Sequence, residues 1–114
     1  MEVSSFNRHI NQKYGQYIEQ FTILFQRSNE SLFLNDIYIK PQYIGRGWGT
    51  KIMKEVIDYA DKNQLPIELI PAPGSIKPNA MRRLVSFYKK FGFVENDGNS
   101  QFDDVAMYRL PKTI

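Results

Sequence analysis

The sequence predicts an α/β (α+β) fold, with one mixed, mostly antiparallel sheet flanked by helices, in a single domain over residues 1–114. Three observations predict it. Runs rich in β-formers alternate with segments whose apolar residues recur at helical spacing. Those runs follow the order ββαβαββ, behind one short N-terminal helix. Closely spaced glycines separate the second strand from the longest helix.

Taken in order, Phe6, Ile10 and Tyr14 fall at i, i+4 and i+8, which suits one short helix ended by Gly15. Tyr17 to Phe25 is rich in β-formers and Leu32 to Ile39 repeats that character. Between them Ser28-Asn29-Glu30-Ser31 reads as a turn, so the two runs form an antiparallel hairpin that stops at Pro41. From Thr50 to about Asn63 the residues Ile52, Met53, Val56, Ile57, Tyr59 and Ala60 line one helix face. Ile67 to Ile70 is a short strand closed by Pro71-Ala72-Pro73-Gly74. A second long helix opens near Pro78 or Asn79 and runs to about Phe91, with Gly92 as its stop. Phe93-Val94 begins a strand, Asn96-Asp97-Gly98-Asn99 is a turn, and 104–110 is the last strand.

Composition narrows the chemistry. At 42% apolar and 14% aromatic, 114 residues fill one core. There is no cysteine, which removes disulfides, thiolate metal sites and a cysteine nucleophile. His9 is the single histidine and reads as an exposed residue near a frayed N-terminus, so no metal is expected. A net charge of +3 is a mild bias and not a nucleic-acid signature on its own, and no nucleic-acid partner is expected. No apolar run approaches a membrane span, and residues 1–6 lack a signal pattern, so the expected location is the cytoplasm.

The glycine cluster Ile44-Gly45-Arg46-Gly47-Trp48-Gly49 lies between a strand and a helix. Helix-start amides lack intrahelical partners and carry partial positive charge, so this loop is placed to hold an anion such as phosphate. It is not the dinucleotide fingerprint, because the third glycine position falls on Thr50 or Ile52. Nor is it a Walker loop, because Lys51 is one residue late and Ile52 follows it.

Residues 37–50, Ile37-Tyr38-Ile39-Lys40-Pro41-Gln42-Tyr43-Ile44-Gly45-Arg46-Gly47-Trp48-Gly49-Thr50, resemble motif A of the GNAT acetyltransferase superfamily. Phe87-Tyr88-Lys89-Lys90-Phe91-Gly92-Phe93 resembles its motif B, at the right distance downstream. The two together cover roughly residues 32–94. The resemblance implies a GNAT-type sheet and an acetyl-CoA-dependent N-acetyltransferase acting on a primary amine, possibly a protein lysine. It implies pyrophosphate contacts from Arg46, Gly47, Trp48, Gly49 and Thr50, with Gly45 and Ile44 beside them. Ile37 and Ile39 line the strand side of the cofactor, and the Ile39 N–H is the expected donor to the thioester carbonyl. Tyr88 is the expected proton donor to the leaving thiolate, since a thiol titrates near ~8.5 and a tyrosine near ~10, close to balance.

Three departures stand out. Ile44 occupies a position usually held by Gln or Arg. Met81 stands where the family often has Asn, and Asn79, two residues earlier, is a helix cap or a cofactor contact. The usual N-terminal two-helix insertion is missing, as in the short, single-domain forms encoded by some phages. Asp36 on the second strand and Glu68 on the third are the candidate general bases, and strand alternation places Asp36 on the face of Tyr38. The strands bearing them are expected to splay, leaving a gap for the acyl-pantetheine arm.

Two rivals come from other classes. A non-catalytic module that binds coenzyme A or a protein keeps the fold and drops the chemistry. A KH-type RNA-binding domain matches Ile44-Gly45-Arg46-Gly47 and Ile52, but Trp48 occupies its second glycine position. The expected partners are acetyl-CoA and an amine acceptor, in a monomer or homodimer.

Overall fold

The computed structural model describes residues 2–73, 77–98, 102 and 105–112. Helix α1 spans Val3–Tyr14, and strands β1 (Ile18–Gln26) and β2 (Ser31–Ile39) follow. A short 3-10 turn at Pro41–Tyr43 leads to α2 (Trp48–Lys62). Then come β3 (Ile67–Leu69), α3 (Ala80–Lys89), β4 (Val94–Glu95) and β5 (Met107–Arg109). The sheet order is β1-β2-β3-β5-β4, with β2 and β3 parallel and every other pair antiparallel. This is the mixed α/β sheet expected. The last strand is shorter than the predicted 104–110, and residue 104 lies outside the described residues, as do Gly74 and Asn99 of the two predicted turns. Asn96 begins its turn by accepting the Gly98 N–H at 3.1 Å.

Phe6, Ile10 and Tyr14 are buried, as their spacing requires, and Phe6 stacks on Tyr59 of α2 at 4.3 Å. The N-terminal segment is not frayed. Its His9 bonds Glu55 of α2 at 2.8 Å, and Tyr14 and Lys13 reach the same carboxylate. Burial pushes the Glu55 carboxyl upward, but the hydrogen bonds from Tyr14, His9 and Lys13 outweigh it and hold the group below its ordinary value.

Helix α1 also covers the outer edge of β1. The Asn7 amide gives a bond to the Ile23 carbonyl at 2.6 Å and accepts the Ile23 N–H at 2.9 Å. One helical turn on, Asn11 reaches the Phe21 carbonyl at 3.3 Å. Residues i and i+4 on a helix and i and i+2 on a strand advance by similar distances, so two side chains stand in for part of a neighbouring strand. Replacing Asn7 by Leu leaves both Ile23 groups without that partner. The expected loss is about 1–3 kcal/mol, read as a lower urea midpoint, and an unchanged midpoint would show that water replaces the amide at no cost.

The register of β1 and β2 slips twice. Thr22 faces Asp36, yet Ile23 faces Leu34, so Asn35 is an extra residue in β2. The bulge reverses the alternation of side chains. Leu32 and Leu34 point into the core before it, and Ile37 and Ile39 pack on the core after it. Asp36 and Tyr38 are thereby turned to the other face, together, as alternation predicted.

On the far side, β3 pairs with β2 only from Leu32↔Ile67 to Leu34↔Leu69. Beyond that point β2 runs on for five residues without β3, which opens the splay between them. Arg109 of β5 ties the layers at the opposite end. It makes two bonds to Asp61 of α2, at 2.8 and 3.1 Å, and donates to the Phe91 carbonyl at the end of α3 at 2.8 Å.

Candidate active site

The loop after β2 is built by two glycines with left-handed backbone. Gly45 has φ 82° and Gly47 φ 86°, and open space surrounds the position a Cβ would take at each. Backbone conformation, not crowding, therefore demands glycine here. Gly47 is the N-cap of α2, and no side chain caps the helix. The first helical bond to close on it is Lys51 N–H to the Gly47 carbonyl at 3.1 Å. Under that pattern the amides of Trp48, Gly49 and Thr50 are the orphan donors of the helix start. The first turn holds no acidic residue. The helix starts two residues before the predicted Thr50, which puts Trp48 and Gly49 into its first turn.

Trp48 is fixed from two sides. Tyr17 stacks on its ring at 3.7 Å with an interplanar angle of 12°, and the Lys51 ammonium lies 4.4 Å from its centroid. Tyr14 meets it edge-on at 6.3 Å. Helix α1 and the loop after it thus brace the glycine loop from behind.

A cavity of about 460 Å³ opens beside this loop. Gly45, Gly47, Trp48, Gly49 and Thr50 form one wall, Ile37 and Ile39 of β2 another, and Leu84, Phe87 and Tyr88 of α3 the third. Tyr43 and Ile44 close the rim. The two sequence motifs therefore face one space. Leu84, Phe87 and Tyr43 are additions to the predicted site.

Tyr88 is buried and its hydroxyl has no hydrogen-bond partner among the described residues. Burial, and secondarily the nearby Tyr38, push its phenol up to about 12. The balance expected from reference values is therefore shifted. Full proton transfer to a thiolate of conjugate-acid pKa ~8.5 is uphill by roughly 5 kcal/mol in this environment. Tyr88 is a hydrogen-bond donor first, at every physiological pH.

The Ile39 amide faces the splay. Lys40 N–H bonds the Tyr17 carbonyl at 2.9 Å, and Ile18 is the partner of Ile39. Bonded and non-bonded pairs alternate along an antiparallel ladder, so the Ile39 N–H points to the opposite edge, where β3 has ended.

A second, smaller cavity of about 100 Å³ lies across the splay, between Asp36, Tyr38, Ile70, Pro73, Leu84 and Tyr88 among others. Tyr88 and Leu84 belong to both spaces. Asp36 is thus brought near Tyr88. Its Oδ2 accepts from Gln20 at 2.9 Å and Asn35 at 3.1 Å, and its Oδ1 is buried with no partner among the described residues.

Glu68 is not brought there. It is buried, bonded to Ser31 and held by Asn29 at 3.4 Å, and it lines neither cavity. Pairing of Glu68 with Phe33 and Tyr108 puts it at the end of the sheet where β2 and β3 are still joined. Asn79 also stands apart. It is the N-cap of α3 with φ 67° and no side-chain cap bond, and it lines neither cavity. Arg46 is exposed on the loop.

Comparison with known proteins agrees with the fold. Residues 9–95 match the acetyltransferase (GNAT) domain family. The chain is 43% identical over 47 residues to thialysine N-epsilon-acetyltransferase of Mus musculus, and 40% over 47 residues to that of Sus scrofa. In each case the match takes in 41% of this chain and 26% of the relative, so the chain spans about a quarter of the length of those proteins. Among solved structures, a GNAT-family acetyltransferase from Staphylococcus aureus Mu50 superposes with a TM-score of 0.57 at 20% identity, over 79% of this chain and 57% of that one. An N-acetyltransferase described from Lactobacillus plantarum gives 0.58 at 17%, over 84% and 61%. At these identities the superpositions speak for the fold.

Proposed function

We propose, from the premise that this chain belongs to the GNAT acetyltransferase family, that it transfers an acetyl group from acetyl-CoA to a primary amine. One observation carries the reading: the orphan amides at the start of α2 border the same cavity as Tyr88, whose hydroxyl has no hydrogen-bond partner among the described residues.

The residues present fit coenzyme A. Amides of 48–50, the open space beside Gly45 and Gly47, and the charges of Arg46 and Lys51 suit a diphosphate. The apolar walls of Ile37, Ile39, Leu84 and Phe87 suit the pantetheine arm. The Ile44 side chain adds no charge, and Asn79 is left out of this set.

In the reaction, the amine nitrogen bonds the acetyl carbon as the carbon–sulfur bond breaks, and the amine's proton is balanced by one delivered to sulfur. The Ile39 N–H steadies the carbonyl oxygen, and Tyr88 gives a hydrogen bond to the departing sulfur. Asp36 is the better-placed proton acceptor of the two carboxylates considered. The partial likeness to enzymes named for thialysine supports an amine at the end of a side chain as acceptor. Family membership, not a separate observation, replaces the KH reading.

The test is release of free thiol from acetyl-CoA with a panel of amines. Coenzyme A binding without thiol release on any amine would leave a binding module instead. The loop itself is tested by Gly47→Ala. A Cβ in the left-handed region costs about 1–2 kcal/mol and tilts the orphan amides. Coenzyme A affinity, followed by the fluorescence of Trp48, the only tryptophan, is expected to fall about tenfold or more while saturated turnover changes little. Unchanged affinity would remove the loop from the cofactor site.

A further inference from the structure

The mild net charge conceals a strong polarity. Residues 37–54 and 69–94 hold nine of the fifteen basic residues and none of the twelve acidic ones. These are the segments that frame the cavity beside the glycine loop, and they meet where a Cβ on Gly49 would touch Phe87 at 3.5 Å. Arg46 and Lys51 are accounted for by a diphosphate. Lys89 pairs with Glu95 at 3.0 Å. Arg82 and Arg83 on α3 and Lys90 at its C-cap are exposed, and none has an ion-pair partner among the described residues.

Exposed apolar side chains lie in the same segments. Met81 is 49% exposed next to Arg82, Ile70 is 52% exposed at the smaller cavity, and Ile44 is 65% exposed at the rim of the larger. Apolar anchors within a field of one sign are the makings of a protein interface whose partner carries the opposite charge.

We infer that the acceptor amine is a lysine on a protein or peptide with an acidic surface, which docks on the exposed side of α3 and its C-cap through Arg82, Arg83 and Lys90. This rests on the transferase reading and names its partner. A nucleic acid is the other polyanion such a field attracts. The protein partner fits better because Met81, Ile70 and Ile44 are aliphatic. The one tryptophan, whose ring packs against Tyr17 and Lys51, is no free platform for stacking bases.

The experiment compares two peptides, each with a single lysine, one flanked by Asp and Glu and the other by Arg, with butylamine as the small acceptor. At about 50 mM salt the acidic peptide is expected to have at least tenfold higher kcat/KM, and the gap to close towards parity near about 0.5 M. The triple variant Arg82→Glu, Arg83→Glu, Lys90→Glu is expected to reverse the preference and leave butylamine turnover within about twofold. Equal rates for both peptides with the unaltered protein would overturn the inference, whether or not the variant folds. If butylamine too gives no thiol, the transferase reading fails by itself. Fluorescence anisotropy of the labelled acidic peptide then decides the docking surface, with salt-sensitive binding supporting it and no binding overturning it. Tighter, salt-dependent binding of single-stranded RNA than of the acidic peptide would also overturn it, in favour of a nucleic-acid partner.

Discussion

Replacing Tyr88 by Phe is expected to lower kcat on the order of 10²–10³-fold while coenzyme A affinity stays within about twofold, because the ring's packing is kept and only the donor to sulfur is lost. The substitution is isosteric at a buried site against Phe87 and Phe93, so stability should change little. The raised phenol adds a pH signature. Burial pushes the phenol up to about 12, so it stays a donor throughout the accessible range. The rate of the unaltered enzyme should climb with pH as the acceptor amine loses its proton, with no descending limb near pH 9–10 from this residue. A descending limb there that vanishes in the Phe variant would show a far lower value and a full proton transfer. A loss of affinity with unchanged kcat would assign Tyr88 to binding alone.

The second large effect is on stability. Asp61→Ala strands the Arg109 guanidinium, whose side chain is only 3% exposed, and should cost about 3–5 kcal/mol by urea denaturation. The double variant Asp61→Leu with Arg109→Met should recover more than half of that loss, since no buried charge is left alone. Hydrogen bonding by Arg109 holds the Asp61 carboxyl below its ordinary value, against the pull of burial. A carboxyl depressed on folding contributes stability that is full above its unfolded value of about 3.9 and fades as pH falls through the lower folded value. The deficit of the Ala variant relative to the unaltered protein should therefore shrink below about pH 4. A deficit independent of pH would mean that lost packing, not charge, dominates.

Period and punctuation explain why so much was legible beforehand. Helical spacing located α1, α2 and α3, and β-formers located the hairpin. The glycine cluster marked the strand-to-helix loop, and Gly45 and Gly47 take the left-handed backbone that few other residues tolerate. What escaped was whatever depends on distant partners. No local feature of Asn35 marks it as a bulge, yet that residue decides which face Asp36 and Ile37 occupy. Asp36 and Glu68 looked equivalent as strand carboxylates. Only the point at which β2 and β3 part separates them. His9 read as a loose end because Glu55 lies 46 positions away. Tyr88 had an ordinary acidity until burial was known. The short strands β4 and β5 were blurred for a simpler reason, since two or three residues carry too little pattern to define an edge.

The asparagine pair on α1 has a consequence for how the molecule is made. Synthesis delivers α1 ahead of β1, and Asn7 meets Ile23 only sixteen positions later. Unshielded strand margins are where nascent chains stick to one another. Here the shield leaves the ribosome before the surface it protects, so this margin of β1 need not wait bare for a remote element to arrive.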